Sequence, residues 1–151
     1  MSSVEDLYQE IILEHNKRPH NFGPLAGATH SADGHNPLCG DEIHVALRIR
    51  GNQLEEVRFE GQGCAISRAS ASMMTEAVAG KPLEEVRATI ERVIGALRGQ
   101  GNELDFEREG DLASLVGVRK FPARIKCATL AWHALEGALQ GKGTVSTETN
   151  D

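Results

Sequence analysis

The sequence predicts an α+β fold, a small three-stranded antiparallel sheet with helices packed on one face. Three observations point to it. Strand-type alternation is confined to the first third of the chain, and helical periodicity fills the rest, an order that segregates helices to one side of a sheet. In His44 to Arg50, Val45, Leu47 and Ile49 alternate with Ala46, Arg48 and Arg50, the mark of a half-buried strand. In the segment from Leu83 to Leu97, by contrast, Leu83, Val86, Ile90, Val93, Ile94 and Leu97 form one helical stripe. The 151 residues are 40% hydrophobic but only 4% aromatic, enough for one core built mainly from aliphatic side chains.

The elements follow in order. Ser3 and Asp6 resemble a capping box, and Val4, Leu7, Tyr8, Ile11 and Ile12 continue with helical spacing until Pro19. An irregular loop with two prolines and two glycines spans 19 to 27. Strands are expected at Ala28 to Asp33, His44 to Arg50 and Leu54 to Glu60, the last two joined by a turn at Gly51-Asn52. Helices are expected from Ile66 to Ala79 and from Pro82 to Leu97, separated by Gly80. A polar loop over 99 to 111, a short helix around Leu112, Leu115 and Val116, and a long helix from Pro122 to Leu139 complete the domain. Residues 1–140 form that one domain. Gly, Thr, Ser and acidic residues mark 141–151 as a disordered tail.

Charge and composition exclude several classes. The net charge is −6 and no basic stripe offers a nucleic-acid surface. No apolar run approaches the length of a membrane span, and the N-terminal stretch lacks the pattern of a signal peptide. The expected location is the cytoplasm, where three cysteines are not expected to form structural disulfides.

Those cysteines carry the chemistry. Cys39 lies in Asn36-Pro37-Leu38-Cys39-Gly40-Asp41, Cys64 follows Gly61-Gln62-Gly63, and Cys127 sits in the helix opened by Pro122. Three thiolates and a carboxylate make a four-coordinate zinc set, and Asp41, two residues from Cys39, can point the same way. Basic neighbours Arg124 and Lys126 and a helix N-terminus would lower the Cys127 thiol. The spacing matches no standard zinc finger, and a free cysteine is often just a small buried hydrophobe. On spacing alone both readings stand. Each of the six histidines is more simply a surface or hydrogen-bonded residue than a ligand, and the run Ser70, Ser72, Met73, Met74 reads as helix packing.

The three cysteine motifs, with Ala69-Ser70-Ala71-Ser72-Met73-Met74 and Val118-Arg119-Lys120-Phe121-Pro122-Ala123-Arg124-Ile125-Lys126-Cys127, resemble the IscU/NifU-like scaffold family, and within it the SufU branch. The resemblance covers Leu7 to Leu139 and implies an IscU-like fold and a role in iron–sulfur cluster biogenesis. It implies a surface site for zinc, or alternatively a nascent iron–sulfur cluster, on Cys39, Asp41, Cys64 and Cys127. It also implies a PLP-dependent cysteine desulfurase of the SufS type as partner, with downstream cluster-assembly scaffold proteins beyond it. Two departures from IscU-type scaffolds favour SufU: Lys126 stands where they carry a histidine, and the stretch between Cys64 and Cys127 is longer, with the extra residues expected around Gly99 to Gly117. The resulting expectation is a zinc-dependent sulfur acceptor and relay, a sulfurtransferase-like partner of the desulfurase rather than an independent enzyme. Cys39 is the expected acceptor, on a mobile turn. Arg124 is a candidate for docking or for stabilising anionic sulfur. The alternative is a scaffold that assembles a cluster on the same cysteines.

Overall fold

The structure is a computed structural model that describes residues 4–100, 104 and 106–146. Helix α1 (Val4–Lys17) precedes the strands β1 (His30–Asn36), β2 (Asp41–Arg50) and β3 (Gln53–Gln62). Then come α2 (Ala65–Val78), a two-residue strand β4 (Lys81–Pro82) and α3 (Leu83–Leu97). The short α4 (Phe106–Glu109), a 3-10 helix (Gly110–Lys120), α5 (Pro122–Leu139) and β5 (Thr144–Ser146) complete the chain. The capping box proposed at Ser3 lies outside the described residues.

The expected meander is present, with β1 antiparallel to β2 and β2 antiparallel to β3. The sheet nevertheless has five strands, in the order β4-β3-β2-β1-β5. β4 is a two-residue pairing at Leu54 and Gln53, too short to leave a pattern in sequence. β5 runs parallel to β1, with Gly34 opposite Val145. It places 144–146 in the sheet, within the segment expected to be a disordered tail; residues 147–151 lie outside the described ones. The first strand is also shifted, starting at His30 rather than Ala28, because its pairing runs to Asn36 opposite Asp41. In the stretch expected as a polar loop, Phe106–Glu109 is helical.

The sheet is two-faced. Ala32, Ile43, Val45, Leu47, Val57 and Phe59 are buried beneath the helices. α5 crosses β1 and β2, α2 packs on β3 and α5, and α1 packs on α2. On the other face Arg48 bridges Glu55 and Glu56 at 2.8 Å each, and His44 meets Asp33 at 2.7 Å. Trp132 on α5 is fully buried, and its indole N–H donates to Ser70 Oγ at 3.0 Å. Ser70 in turn donates to the Ala128 carbonyl at 2.6 Å, so the polar groups of this core contact are paired. This fixes α2 against α5, the two helices whose N-terminal ends carry Cys64 and Cys127. Among the described residues no helix is long and apolar enough to cross a membrane.

Candidate metal centre

Three separate pieces of backbone meet at the N-terminal ends of α2 and α5. The first is the turn between β1 and β2. The Cys39 and Gly40 amides both donate to the Asn36 carbonyl, at 3.2 and 2.9 Å, which closes a tight loop at the hairpin end. Cys39 is exposed on that loop, and Leu38 beside it is 70% exposed. Asp41 follows as the first residue of β2 and is 1% exposed.

The second piece is the corner from β3 into α2. Gly61 has φ +139° and packs so close to β2 that an added Cβ would lie 2.0 Å from the Glu42 carbonyl oxygen. At Gly63 an added Cβ would lie 2.5 Å from Asp41 Oδ1. The two glycines of the Gly61-Gln62-Gly63-Cys64 motif therefore serve one purpose, to let this corner approach β2 and the Asp41 carboxylate. Asp41 Oδ1 accepts the Cys64 amide at 2.9 Å, and Oδ2 lies 4.0 Å from the Cys64 sulfur. Cys64 is itself the N-cap of α2, its sulfur accepting the Ser67 amide at 3.4 Å.

The third piece is α5. Pro122 opens it, which suits a first helical position whose missing N–H has no intrahelical partner. Cys127 comes in the second turn and is fully buried. Its sulfur lies 3.6 Å from Cys39 Sγ and 3.7 Å from the Asn36 side-chain amide. Cys39, Asp41 and Cys127 each offer a ligand atom within 4.8 Å of the others. All three cysteines are free thiols.

The spacing fits a tetrahedral ion. Two sulfurs each about 2.3 Å from one metal lie about 3.8 Å apart across a tetrahedral edge, against 3.6 Å between Cys39 and Cys127. Soft thiolates with one hard oxygen are a donor set that zinc accepts. Of the four residues expected from sequence, Cys39, Asp41 and Cys127 share one cluster of ligand atoms, and Cys64 adjoins it through Asp41.

The thiols differ in acidity, and the sequence-based expectation at Cys127 is overturned. Arg124 is exposed and Arg119 donates to the Ala96 carbonyl at 3.2 Å. Instead, the contact with Cys64 and burial raise the Cys127 thiol. Cys64 is pulled down to about 6, first by its bond with Cys127 and then by the Ser67 and Ile66 amides, against the opposing effect of burial.

Sequence reasoning missed two contributors. Asn36 closes the turn with its carbonyl and touches Cys127 with its amide, contacts that no spacing in the sequence signals. The structural need for Gly63 against Asp41 became visible only once the two strands were paired. Arg124 stands outside the cysteine cluster. With Tyr8, Ile12, Leu13, Phe121 and others it lines an open groove of ≈ 530 Å³ that also borders Ala65, next to Cys64. The Ser70 and Ser72 run is buried in helix packing, as expected. His15 is hydrogen-bonded, as expected, and is 4% exposed between α2 and the 3-10 helix.

A small sheet covered on one face by helices, with three cysteines and an aspartate converging at the ends of two of those helices, defines the class. The chain belongs to the family of the NifU-like N-terminal domain, whose model matches residues 7–140. It is 44% identical over 136 residues to the zinc-dependent sulfurtransferase SufU of Bacillus subtilis (strain 168), covering 89% of this chain and 90% of that one. It is 42% identical over 140 residues to the iron–sulfur cluster assembly scaffold protein IscU of Streptococcus pyogenes serotype M1, covering 93% and 87%. Among solved structures, a putative iron–sulfur cluster assembly scaffold protein for the SUF system from Fervidobacterium islandicum AW-1 superposes with a TM-score of 0.76 at 32% identity, covering 86% of this chain and 94% of that one.

Proposed function

We propose that the protein acts in iron–sulfur cluster biogenesis as a zinc-dependent sulfur acceptor that relays persulfide sulfur from a PLP-dependent cysteine desulfurase of the SufS type. The observation that carries this reading is the asymmetry of the site: Cys39 is exposed while Cys127, 3.6 Å away, is buried. Cys39 is the most accessible sulfur of the set for a docking partner, Cys64 being half-buried and Cys127 buried.

Cys39, Asp41, Cys64 and Cys127 would hold the zinc. When bound, zinc would keep the sulfurs as thiolates and shield them from oxidation. The chain's own groups supply the rest. The turn from Asn36 to Gly40 presents Cys39 to solvent. The Cys39 thiolate attacks the outer sulfur of the desulfurase persulfide. A bond forms between Cys39 Sγ and that sulfur, the donor's S–S bond breaks, and its electron pair leaves with the donor cysteine as a thiolate. The result is a persulfide on Cys39 with no net redox change. Asp41, fixed by the Cys64 amide at 2.9 Å, keeps its position while Cys39 moves. Lys126, in place of a histidine, offers no imidazole to a cluster.

The test pairs metal analysis of the purified protein with desulfurase turnover in its presence. About one equivalent of zinc and a Cys39→Ala variant that folds but no longer stimulates turnover are expected. Normal stimulation by Cys39→Ala would remove Cys39 as acceptor. A second reading, cluster assembly on the same residues, draws on the similarity to the Streptococcus pyogenes scaffold. Anaerobic reconstitution with iron and sulfide decides between them: a cluster that passes to an apo-protein faster than free ions would favour the scaffold.

A further inference from the structure

At the other end of α2 a second cluster of metal-ligating side chains stands apart from the cysteines. His15, in the last turn of α1, is 4% exposed. Its Nδ1 is 2.8 Å from Ser72 Oγ and its Nε2 is 2.8 Å from Asp111 Oδ2 on the 3-10 helix. His20, just beyond Pro19, pairs through its own Nδ1 with the Glu76 carboxylate on α2. The two imidazole centroids are 4.7 Å apart. Ser72 Oγ also accepts the His20 backbone N–H at 2.8 Å, so one hydroxyl ties both histidine segments to α2. A cavity of ≈ 210 Å³ opens beside His15, Glu76, Asp111 and Glu109. The Glu109 carboxylate is engaged by Arg92 at 3.0 Å.

We propose that His15, His20 and Glu76, with Asp111 completing the set, form a second divalent-metal site, one without sulfur ligands. The ligand atoms of His15, His20 and Glu76 lie within 4.8 Å of one another, a separation that small side-chain rotations close around an ion. They come from three segments of α1, the following turn and α2, which the Ser72 hydrogen bonds hold in place. A metal-binding histidine is characteristically steered by a partner on its other ring nitrogen, and Ser72 stands in that position at His15 Nδ1. Nε2 then faces the Asp111 carboxylate, 2.8 Å away.

Two imidazoles and two carboxylates select a borderline first-row divalent ion such as Fe²⁺, Co²⁺, Ni²⁺ or Zn²⁺. They do not suit soft Cu⁺, which prefers thiolates, or Ca²⁺, which prefers an all-oxygen shell. Glu76 lies twelve residues along α2 from Cys64, or about 18 Å at 1.5 Å per residue. The two sites cannot share one ion, and this proposal stands without the sulfur-relay reading.

The probe is cobalt(II) added to the full-length, zinc-loaded protein, followed by equilibrium dialysis and visible absorption. One further equivalent of metal is expected, with weak ligand-field bands and no sulfur-to-cobalt charge transfer. His20→Ala and Glu76→Gln, both at half-exposed positions, should each weaken that binding by about tenfold or more. His44→Ala, on the opposite face of the sheet, should leave it unchanged, and circular dichroism of each variant checks the fold. The proposal is overturned if no saturable further equivalent binds or if cobalt merely exchanges into the thiolate site. Binding that survives both His20→Ala and Glu76→Gln would also overturn it.

Discussion

The β3–α2 corner and the β1–β2 turn deliver Cys64 and Cys39 to one site, but they are built in opposite ways. In the corner, Gly61 and Gly63 press against the Glu42 carbonyl and the Asp41 carboxylate with no room for a methyl group. In the turn, Cys39 and Leu38 are exposed and two amides share a single carbonyl. Packing that tight leaves one backbone arrangement, whereas an exposed turn can move at little cost. The difference teaches how a candidate site can be both firmly held and open: the packed corner and the exposed sulfur sit on different pieces of chain.

Substitutions in the two pieces should break this comparison if it is wrong. Gly61→Ala puts a methyl group into the backbone of β2 at a φ of +139°. We expect a loss of about 3 kcal/mol or more of unfolding free energy by urea denaturation, from strain and displaced pairing together. Leu38→Ala, at 70% exposure, should change stability by no more than about 0.5 kcal/mol. Similar losses at both positions would mean that the turn is as constrained as the corner.

The next effect is of intermediate size and concerns acidity in the zinc-free protein. Cys64 lies at about 6 rather than its ordinary 9.0, chiefly through its bond with Cys127. The folded value is the lower one, so between the two the unfolded chain binds more protons. The contribution of this thiol is therefore full above about 9 and is lost as pH falls through about 6. After chelation, the urea midpoint should rise between pH 6 and 8, and Cys64→Ser should flatten that slope. Iodoacetamide should modify Cys64 with a rate that is half-maximal near pH 6, while buried Cys127, with its thiol raised, stays unmodified. Faster labelling of Cys127 would reverse the order of the pair.

Much of this architecture was legible in the chain. The meander announced itself because Val45, Leu47 and Ile49 face one side, and α3 because its stripe is long and uninterrupted. Leu112, Leu115 and Val118 are buried at every third position, the period of the 3-10 helix they occupy rather than of an α-helix. β5 was not legible, since three residues carry no readable alternation and its pairing to β1 is a tertiary event. The four cysteine-site residues could be named, but their environments could not. Lys126 is adjacent to Cys127 in sequence, yet an α-helix sends adjacent residues to different faces, and it is the contact with Cys64, then burial, that raises that thiol. The His15 cluster joins α1, α2 and the 3-10 helix across separations of 57 and 96 residues, which no local pattern reveals.

The smallest expected effect separates the two roles open to Arg124. Its side chain stands on the exposed first turn of α5, at the rim of the groove that Phe121, 60% exposed, and Leu13, 57% exposed, line. A charge in that place steers and orients a partner more than it binds it, because solvent and salt screen it. Arg124→Ala should therefore raise the apparent KM for this protein in desulfurase turnover by about two- to fivefold, leave kcat unchanged, and lose its effect at high salt. If kcat fell instead at constant KM, Arg124 would be acting on the anionic sulfur during transfer. Cys39, already 3.6 Å from Cys127 on α5, would then react beside the first turn of that helix, and the exposed turn would be held in place during transfer rather than free to move.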